Sequence, residues 1–227
     1  MKYSFDFAAP LEYWPDLLAG AWTTLTLSLA ATFFGFLVGV FCALASTGKA
    51  KWLARLAGAY IEVIRNTPLL VQVFLVYFGM ASMGFKVGAF TAATVALVVN
   101  VGAYTSEIVR AGIESIPKSQ LEAAETLGLT RWQTLRHVVL PPAIERVFPA
   151  LTSQYVLLML ASSICSQISA EELTAVANRV QSDTFRSVET YLIVAVGYLL
   201  LSLVMRGLFW LVGYVAFPRR RRVGTPL

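Results

Sequence analysis

Five apolar stretches constrain the fold of this chain more than any other feature of its sequence. Four of them contain no charged residue over 20 or more positions, and a fifth is interrupted only by Arg206. A helix of about 20 apolar residues crosses the hydrocarbon core of a bilayer, so we predict an all-α integral membrane protein. Residues 1–227 are expected to form a single transmembrane domain. The five predicted membrane-spanning helices cover about residues 17–46, 66–84, 87–110, 143–169 and 190–217.

The distribution of basic residues predicts how these helices are oriented. Lys49, Lys51 and Arg55 follow the first span, and four consecutive arginines at 219–222 follow the fifth. Loops rich in lysine and arginine remain in the cytoplasm. We therefore expect the N-terminus outside and the C-terminus in the cytoplasm. Residues 49–64 mix charged and apolar side chains at helical spacing, which predicts a helix lying on the cytoplasmic membrane surface.

A few polar side chains inside the spans are candidates for a solute path. Such residues normally face the interior of a helix bundle or a watery cavity. Asn100 and Gln154 are expected at similar depth, where they form either a helix–helix hydrogen bond or part of a solute site. The path candidates are Gln72, Asn100, Gln154, Ser162 and Ser163.

Charged residues at the cytoplasmic edges of the spans predict ion pairs. Glu107 and Arg110 lie one helical turn apart and are expected to pair. Arg65, just before the second span, has Glu62 or a lipid phosphate as its expected partner.

Residues 117–141, between the third and fourth spans, have the pattern of a helical hairpin. Gly128 is placed to stop a first helix, and Pro141 is placed to end a second. Two pairs have the spacing of a capping box at a helix start, namely Ser119 with Glu122 and Thr130 with Gln133. We therefore predict two short helices joined by a turn.

Three functions fit such a hairpin. A DNA-binding helix-turn-helix also joins two short helices through a glycine, but a hairpin tethered so close to a bilayer is poorly placed to reach a major groove, and no nucleic acid partner is expected. A docking element would present the hairpin to a soluble partner. A passive amphipathic loop would rest its apolar side chains on lipid, namely Leu121, Leu127, Trp132, Leu135 and Val139.

The hairpin contains a four-part pattern, namely Glu122-Ala123-Ala124, Gly128 and Val138-x-Leu140-Pro141. This pattern resembles the EAA loop of ATP-binding-cassette (ABC) importer permeases, with valine where isoleucine is usual. Residues 60–72 and 104–117 resemble the polar amino acid permeases of this group, and the similarity extends over nearly the whole chain. The resemblance implies a type I importer permease fold, with five spans and a cytoplasmic coupling hairpin. It assigns ATPase coupling to Glu122, Ala123, Ala124, Gly128, Leu140 and Pro141.

The resemblance also implies a function and a set of partners. The chain would be a permease subunit of an ATP-driven importer for polar or charged amino acids, in the bacterial inner membrane and in contact with membrane lipid. A homodimer of ABC ATPases would dock on the cytoplasmic loops, a second permease subunit would complete the solute path, and an external solute-binding protein would deliver the ligand. We expect no cofactor in this chain, because ATP would be bound by the partner ATPase. Around Gly48-Lys49 the residues that a P-loop requires are missing.

One departure from the family pattern bears on the second permease subunit. Where these permeases commonly have lysine followed by aspartate or asparagine, this chain has Leu160-Ala161. The resemblance associates that stretch with the central solute path. We therefore expect a heteromeric partner that supplies the missing polar pair, in preference to a homodimer.

Two other functional classes fit the sequence less well. A stand-alone channel or secondary amino acid carrier is the alternative function, although five spans are few for a carrier and no inverted repeat is visible. An intramembrane enzyme has little support, because the only histidine, His137, lies in the hairpin and the spans hold no paired carboxylates or metal-spaced ligands. Neither a catalytic residue nor a metal site is predicted.

Overall fold

The chain folds into an assembly of helices. The computed structural model describes residues 4–48 and 50–217, and no β-strand occurs within these ranges. The predicted all-α fold is confirmed there. The α-helices of the described residues are α1 (Ala8–Leu11), α2 (Trp14–Thr47), α3 (Lys51–Arg65), α4 (Leu69–Ser82), α5 (Ala89–Glu114), α6 (Lys118–Thr126), α7 (Arg131–Gln133), α8 (Leu140–Ala161), α9 (Leu173–Thr184) and α10 (Ser187–Ala216).

Helices of unusual geometry adjoin both ends of α8. A π-helical segment, Thr134–Val139, joins α7 to α8, and a 3₁₀-helical segment, Ser162–Ile168, continues α8 at its other end. The four segments form one helical stretch from Arg131 to Ile168.

Four helical stretches of the described residues are long and apolar enough to cross a membrane. Each overlaps one of the predicted spans. The stretch that contains α8 begins well before the predicted residue 143, because the helix continues without interruption from the hairpin. The four stretches are Trp14–Thr47, Ala89–Glu114, Arg131–Ile168 and Ser187–Ala216.

The predicted second span corresponds to α4, which is one arm of a bent helix pair. The axes of α3 and α4 meet at 109°. Pro68 lies at the bend with φ −64° and ψ 138°, and proline lacks the donor and the conformational freedom needed to continue α3. Helix α4 has 14 residues, or about 21 Å at ~1.5 Å per residue. This is shorter than the hydrocarbon core of a bilayer, at about 30 Å, so α4 crosses it only together with α3 or where the bilayer is locally thinner. The helix predicted at 49–64 is found as α3, and its place on the membrane surface stays a prediction.

Helix α5 occupies the centre of the bundle and packs against α2, α3, α4 and α8. Glycines allow α2 to approach it closely. A Cβ atom added at Gly35 would lie 2.2 Å from Val101 Cγ1, and one added at Gly39 would lie 2.5 Å from Thr105 Cβ. Small residues at a helix interface allow the two backbones to come together in this way.

A second packing unit lies at the end of α8 remote from the hairpin. There α9 packs between the first half of α2 and the first half of α10. The fully buried Glu172 carboxylate caps α9 by accepting the Thr174 and Ala175 N–H groups at 3.0 and 2.9 Å. The Tyr198 hydroxyl of α10 donates to the same carboxylate at 2.7 Å. One side chain thus ties α9 to α10.

Candidate functional site

The first hairpin helix, α6, begins at Lys118 directly after Pro117. Pro117 occupies the N-cap position with φ −59° and ψ 139°, and no side chain caps this end. Ser119 is consequently the second residue inside the helix, so the predicted capping box of Ser119 with Glu122 is wrong. Proline fixes its own φ angle and so favours a helix start at this position. Ser119 then lies inside the helix and not at the N-cap, where a serine hydroxyl accepts a backbone N–H.

The turn after α6 is held by backbone hydrogen bonds. Gly128 has φ +69°, a left-handed conformation that glycine adopts without strain. The Leu129 N–H donates to the Ala124 carbonyl at 3.1 Å and the Gly128 N–H to the Glu125 carbonyl at 2.9 Å, which is the hydrogen-bond pair of a Schellman motif. The prediction that Gly128 stops the first helix is confirmed.

The second hairpin helix starts at the predicted cap but does not end at Pro141. The Thr130 hydroxyl accepts the Gln133 N–H, and the Gln133 side chain accepts the Thr130 N–H at 2.8 Å, so this capping box is confirmed. Pro141 lies in the first turn of α8, and the helix runs on past it. The predicted stop is wrong because the preceding π-helical turns are wider, and the Leu140 N–H reaches back to the Leu135 carbonyl. The hairpin is therefore one short helix beside the end of a long one.

An apolar cluster fixes the hairpin to the rest of the bundle. Leu135 and Val139 of the π-helical segment pack with Ile113, Ile116 and Ala143, which lie at the end of α5 and the start of α8. Val139 is buried. Val139 and much of Leu135 are therefore covered by protein, which removes part of the surface that a passive amphipathic loop would use.

The remaining apolar hairpin residues point outward at the tip. Leu127 is 77% exposed, Trp132 63% and Leu121 39%. Glu122 and Ala123 are exposed beside them, whereas Ala124 is buried. The tip thus presents a surface of mixed apolar and acidic character that the described residues leave uncovered.

The predicted coupling residues divide into an outer and an inner group. Glu122, Ala123, Gly128 and Pro141 are exposed, Leu140 is half-buried, and Ala124 packs inward as the acceptor of the Schellman bond. The first three form the outer surface around the tip. Ala124 and Leu140 instead belong to the parts that hold the hairpin in place.

Gln72 and Asn100, two of the path candidates, are hydrogen-bonded to each other. Asn100 Nδ2 donates to Gln72 Oε1 at 2.9 Å, and Gln72 Nε2 donates to the Ile64 carbonyl at 2.8 Å and the Thr67 hydroxyl at 2.8 Å. Both amides are buried. They satisfy the carbonyl end of α3 at its bend into α4 and fasten that bend to α5.

The other path candidates lie on α8 and its 3₁₀ continuation, away from this amide pair. The bond considered between Asn100 and Gln154 is not formed, since Asn100 bonds to Gln72. Gln154 is half-buried, as is Ser163, whose hydroxyl donates to the Leu160 carbonyl. Ser162 is fully buried and donates to the Met159 carbonyl at 2.7 Å. Gln154 and Ser163 are thus the two path candidates that are not buried.

Charged residues near the end of α5 form a connected network. Arg110 binds both oxygens of Glu107, at 2.8 and 3.1 Å, and a third bond joins Arg110 to Glu114 at 2.7 Å. The predicted pair of Glu107 and Arg110 is confirmed. Arg65 binds Glu107 Oε2 at 3.0 Å, so its carboxylate partner is Glu107 and not the expected Glu62. This pair joins α3 to α5 close to the bend.

A family model matches residues 35–214, which include every element of the sites described above. The model is described as the inner membrane component of binding-protein-dependent transport systems. The chain belongs to this family. The family description agrees with the four apolar helical stretches in making it an integral membrane protein.

Curated relatives agree with the resemblance to polar amino acid permeases, which is confirmed. This permease is 36% identical to the nopaline transport system permease protein of Agrobacterium fabrum over 96% of its own length and 95% of the relative's. It is 38% identical to the glutamine transport system permease protein of Escherichia coli strain K12, over 88% and 93% of the two chains. These relatives are permease components of transport systems.

Solved structures support the same fold. The permease matches the crystal structure of an amino acid ABC transporter with histidines, with a TM-score of 0.85 and 39% identity over 93% of this chain and 99% of the other. It also matches the inward-facing MetNI methionine ABC transporter with a TM-score of 0.76 over 90% and 98% of the two chains. At 22% identity, the second match supports the fold alone. The type I importer permease fold is confirmed.

Two residues have structural roles that were not predicted from the sequence. Arg146 of α8 caps the end of α5, and Glu172 caps α9 from a fully buried position. The capping role of Glu172 was not predicted because helix N-caps are usually serine, threonine, aspartate or asparagine. For Arg146 the available signal was the end of α5 at Ile116-Pro117, where unpaired carbonyls require a donor.

Proposed function

We propose that this chain is one permease subunit of an ATP-driven importer for polar or charged amino acids. It forms half of the solute path, with its N-terminus outside and its C-terminus in the cytoplasm, and it is coupled to a separate ATPase through the hairpin at α6. Its relatives include the permease of a glutamine transport system and an amino acid ABC transporter, which supports the substrate class.

The observation that carries this proposal is the rigid hairpin tip. A Schellman turn and a capping box hold it on both sides of Gly128, and the tip exposes Glu122, Ala123 and Leu127. An exposed apolar and acidic surface on a fixed hairpin is suited to docking in a groove of a partner. Because the second hairpin helix continues into α8, movement of the docked partner is passed directly to a membrane-spanning helix.

The assembly that follows has three kinds of partner. An ABC ATPase homodimer docks on the hairpins and binds all of the ATP, so this chain carries no catalytic site and no cofactor. An external solute-binding protein delivers the amino acid. The second permease subunit is a different chain, because this one has Leu160-Ala161 where its family commonly has a charged and polar pair. Gln154 and Ser163 are the groups of this subunit proposed to face the solute.

The test of coupling uses Gly128→Arg in the complete importer, with Gly84→Arg as its matched control. Both glycines have positive φ, +69° and +86°, and a Cβ atom at either would meet open space. The backbone strain of the two substitutions is therefore similar, but Gly84 lies in the turn between α4 and α5, at the opposite ends of these helices from the hairpin. We expect Gly128→Arg to abolish ATP-driven uptake and Gly84→Arg to retain it. Normal uptake by Gly128→Arg would refute docking at the tip.

Two further measurements separate the alternatives. Uptake that persists in cells without the ATPase would indicate a stand-alone channel or secondary carrier. Full uptake by vesicles containing this permease, the ATPase and the binding protein, with no second permease, would refute the heteromer while leaving the importer function in place.

A further inference from the structure

Arg206 is the only charged residue among residues 190–217. It lies in α10, ten residues before the last residue of that helix, Ala216, or roughly 15 Å from its end at ~1.5 Å per residue. An ionised side chain inside an apolar helix requires a partner, because burying an unpaired charge in hydrocarbon is costly. The proposed transport function assigns no role to it.

The described part of the chain provides no acceptor for this guanidinium. Neither Arg206 nor the indole N–H of Trp210, one turn further along α10, takes part in a hydrogen bond or ion pair there. The Trp210 ring is fixed by stacking on Tyr214, with centroids 5.4 Å apart and planes at 17°. Two donors, one of them charged, therefore lie on one face of α10 without an acceptor among the described residues.

Both donors line the same cleft between α8 and α10. The cleft has a volume of about 290 Å³, and its other walls are Phe148, Pro149 and Thr152. The Thr152 hydroxyl already donates to the Phe148 carbonyl at 3.0 Å. Among the described residues, those that line the cleft offer donors and apolar walls, and their only free side-chain hydrogen-bond acceptor is the Thr152 hydroxyl. The cleft therefore favours a ligand that only accepts hydrogen bonds.

The cleft that Arg206 lines reaches toward the hairpin side of the bundle. Phe148 lies level with Gly213, since a Cβ atom at Gly213 would be 2.7 Å from Phe148 Cε1. Gly213 is seven residues beyond Arg206, about 10 Å toward that side. Two residues before Phe148, Arg146 binds the end of α5. The cleft therefore reaches from Arg206 toward the cytoplasmic surface in the proposed topology, which is the direction in which a long basic side chain extends to reach headgroups.

We propose that Arg206 and Trp210 bind the phosphate of a phospholipid of the cytoplasmic leaflet in the cleft between α8 and α10. A phosphodiester carries acceptor oxygens only, and the guanidinium fork matches two of them. Tryptophan is enriched at the level of lipid headgroups. Phe148 and Pro149 contact the glycerol and the first carbons of the acyl chains. The rest of α10 suits a lipid neighbour, because Leu203, Val204 and Leu211 are exposed.

The experiment measures phosphatidylglycerol binding to the purified importer by native mass spectrometry. Arg206→Gln removes the charge at similar size, and we expect the affinity of the tightest-bound lipid to fall about tenfold to hundredfold, the range for loss of a charge-assisted hydrogen bond. Arg206→Lys keeps the charge but loses the fork and should give a smaller loss. Arg55→Gln, an exposed arginine of α3, is the control and should leave this binding step unchanged.

A second readout uses Trp210 itself. Phospholipids brominated near the headgroup should quench a fraction of the fluorescence that disappears in Trp210→Phe, and that fraction should be lost in Arg206→Gln. Equal lipid binding by Arg206→Gln and the parent would overturn the proposal. So would displacement of the lipid by inorganic phosphate at equal concentration, which would indicate a site for the free ion. Crosslinking of residue 206 to a carboxylate of another subunit would also overturn it, by showing that a protein group occupies the cleft.

Discussion

Arg146 of α8 donates two hydrogen bonds to Ser115 at the end of α5, one to the carbonyl and one to the hydroxyl, each 2.7 Å long. A cation at the carbonyl end of a helix satisfies an orphan acceptor and complements the helix dipole. The two residues flank the hairpin, so this contact closes the base of the hairpin.

Replacing Arg146 with alanine should uncouple the permease more than it destabilises it. An exposed cation at a helix end stabilises by about 0.3–1 kcal/mol, so the loss in unfolding free energy should be small. ATP-driven uptake should fall several-fold while ATP hydrolysis by the docked ATPase continues. Ser115→Ala removes only the hydroxyl acceptor and should have the weaker effect. A parallel loss of hydrolysis and uptake would contradict the prediction.

The pair Gln72–Asn100 should affect stability and not solute affinity. Asn100→Ala leaves the buried Gln72 carbonyl without its donor, which costs about 1–3 kcal/mol. A thermal melt of the purified permease measures the loss, and a double-mutant cycle with Gln72→Leu should give coupling of roughly 0.5–3 kcal/mol. Gln154→Leu is the contrasting variant, for which we expect near-unchanged stability but altered uptake. A raised KM in Asn100→Ala at unchanged stability would place Asn100 in the path.

Glu172 should make the stability of the second packing unit, in which α9 packs between α2 and α10, depend on pH. Burial raises the pKa of this carboxyl above its ordinary value of 4.5, so the folded state favours the protonated form. Its contribution is therefore complete below the ordinary pKa and is lost as the pH rises through the raised value. Melting temperatures from pH 4 upward should show this decline in the parent and a flatter profile in Glu172→Gln. Identical profiles would indicate that the carboxyl titrates normally.

Close approach of α2 and α5 should make Gly39 intolerant of any side chain. A Cβ atom there would lie 2.5 Å from Thr105 Cβ and 3.0 Å from the Gly102 carbonyl oxygen, so Gly39→Ala should lower the unfolding free energy by about 1–3 kcal/mol through overpacking. Gly79→Ala in α4 meets open space and should stabilise slightly, by about 0.5–1 kcal/mol. Thermal melts of the two variants compare them directly. Equal melting temperatures would show that the helices separate without penalty.

Features set by local rules were predictable from the sequence. Gly128 stops a helix through its own backbone conformation, and Thr130 caps a helix together with Gln133, three positions away. Both predictions therefore depended only on residues nearby in the sequence. The failures at Ser119 and Pro141 also have local causes, but in each case two rules competed. Pro117 started the helix before the serine, and the π-helical turns accommodated the proline.

Features set by long-range contacts were not predictable from the sequence. The equal depth of Asn100 and Gln154 was inferred from residue counting, which gives the level of a residue in the membrane but not the direction in which it faces. Asn100 faces the bend at Pro68 and so meets Gln72. Arg65 similarly found Glu107 because that bend brings α3 across α5, and a hydropathy pattern contains no information about a 109° angle.

The π-helical segment at Thr134–Val139 sets the direction in which the side chains of α8 point around the helix axis. A π-helical turn contains one residue more than an α-helical turn, and one residue corresponds to about 100° of rotation about the helix axis and ~1.5 Å along it. Moving the extra residue along the helix would rotate the side chains that it passes about the helix axis and shift them along it. The number of residues in the π-helical segment therefore sets the direction in which Gln154 points relative to the hairpin. Deletion of one residue from this segment would turn Gln154 toward a different neighbour.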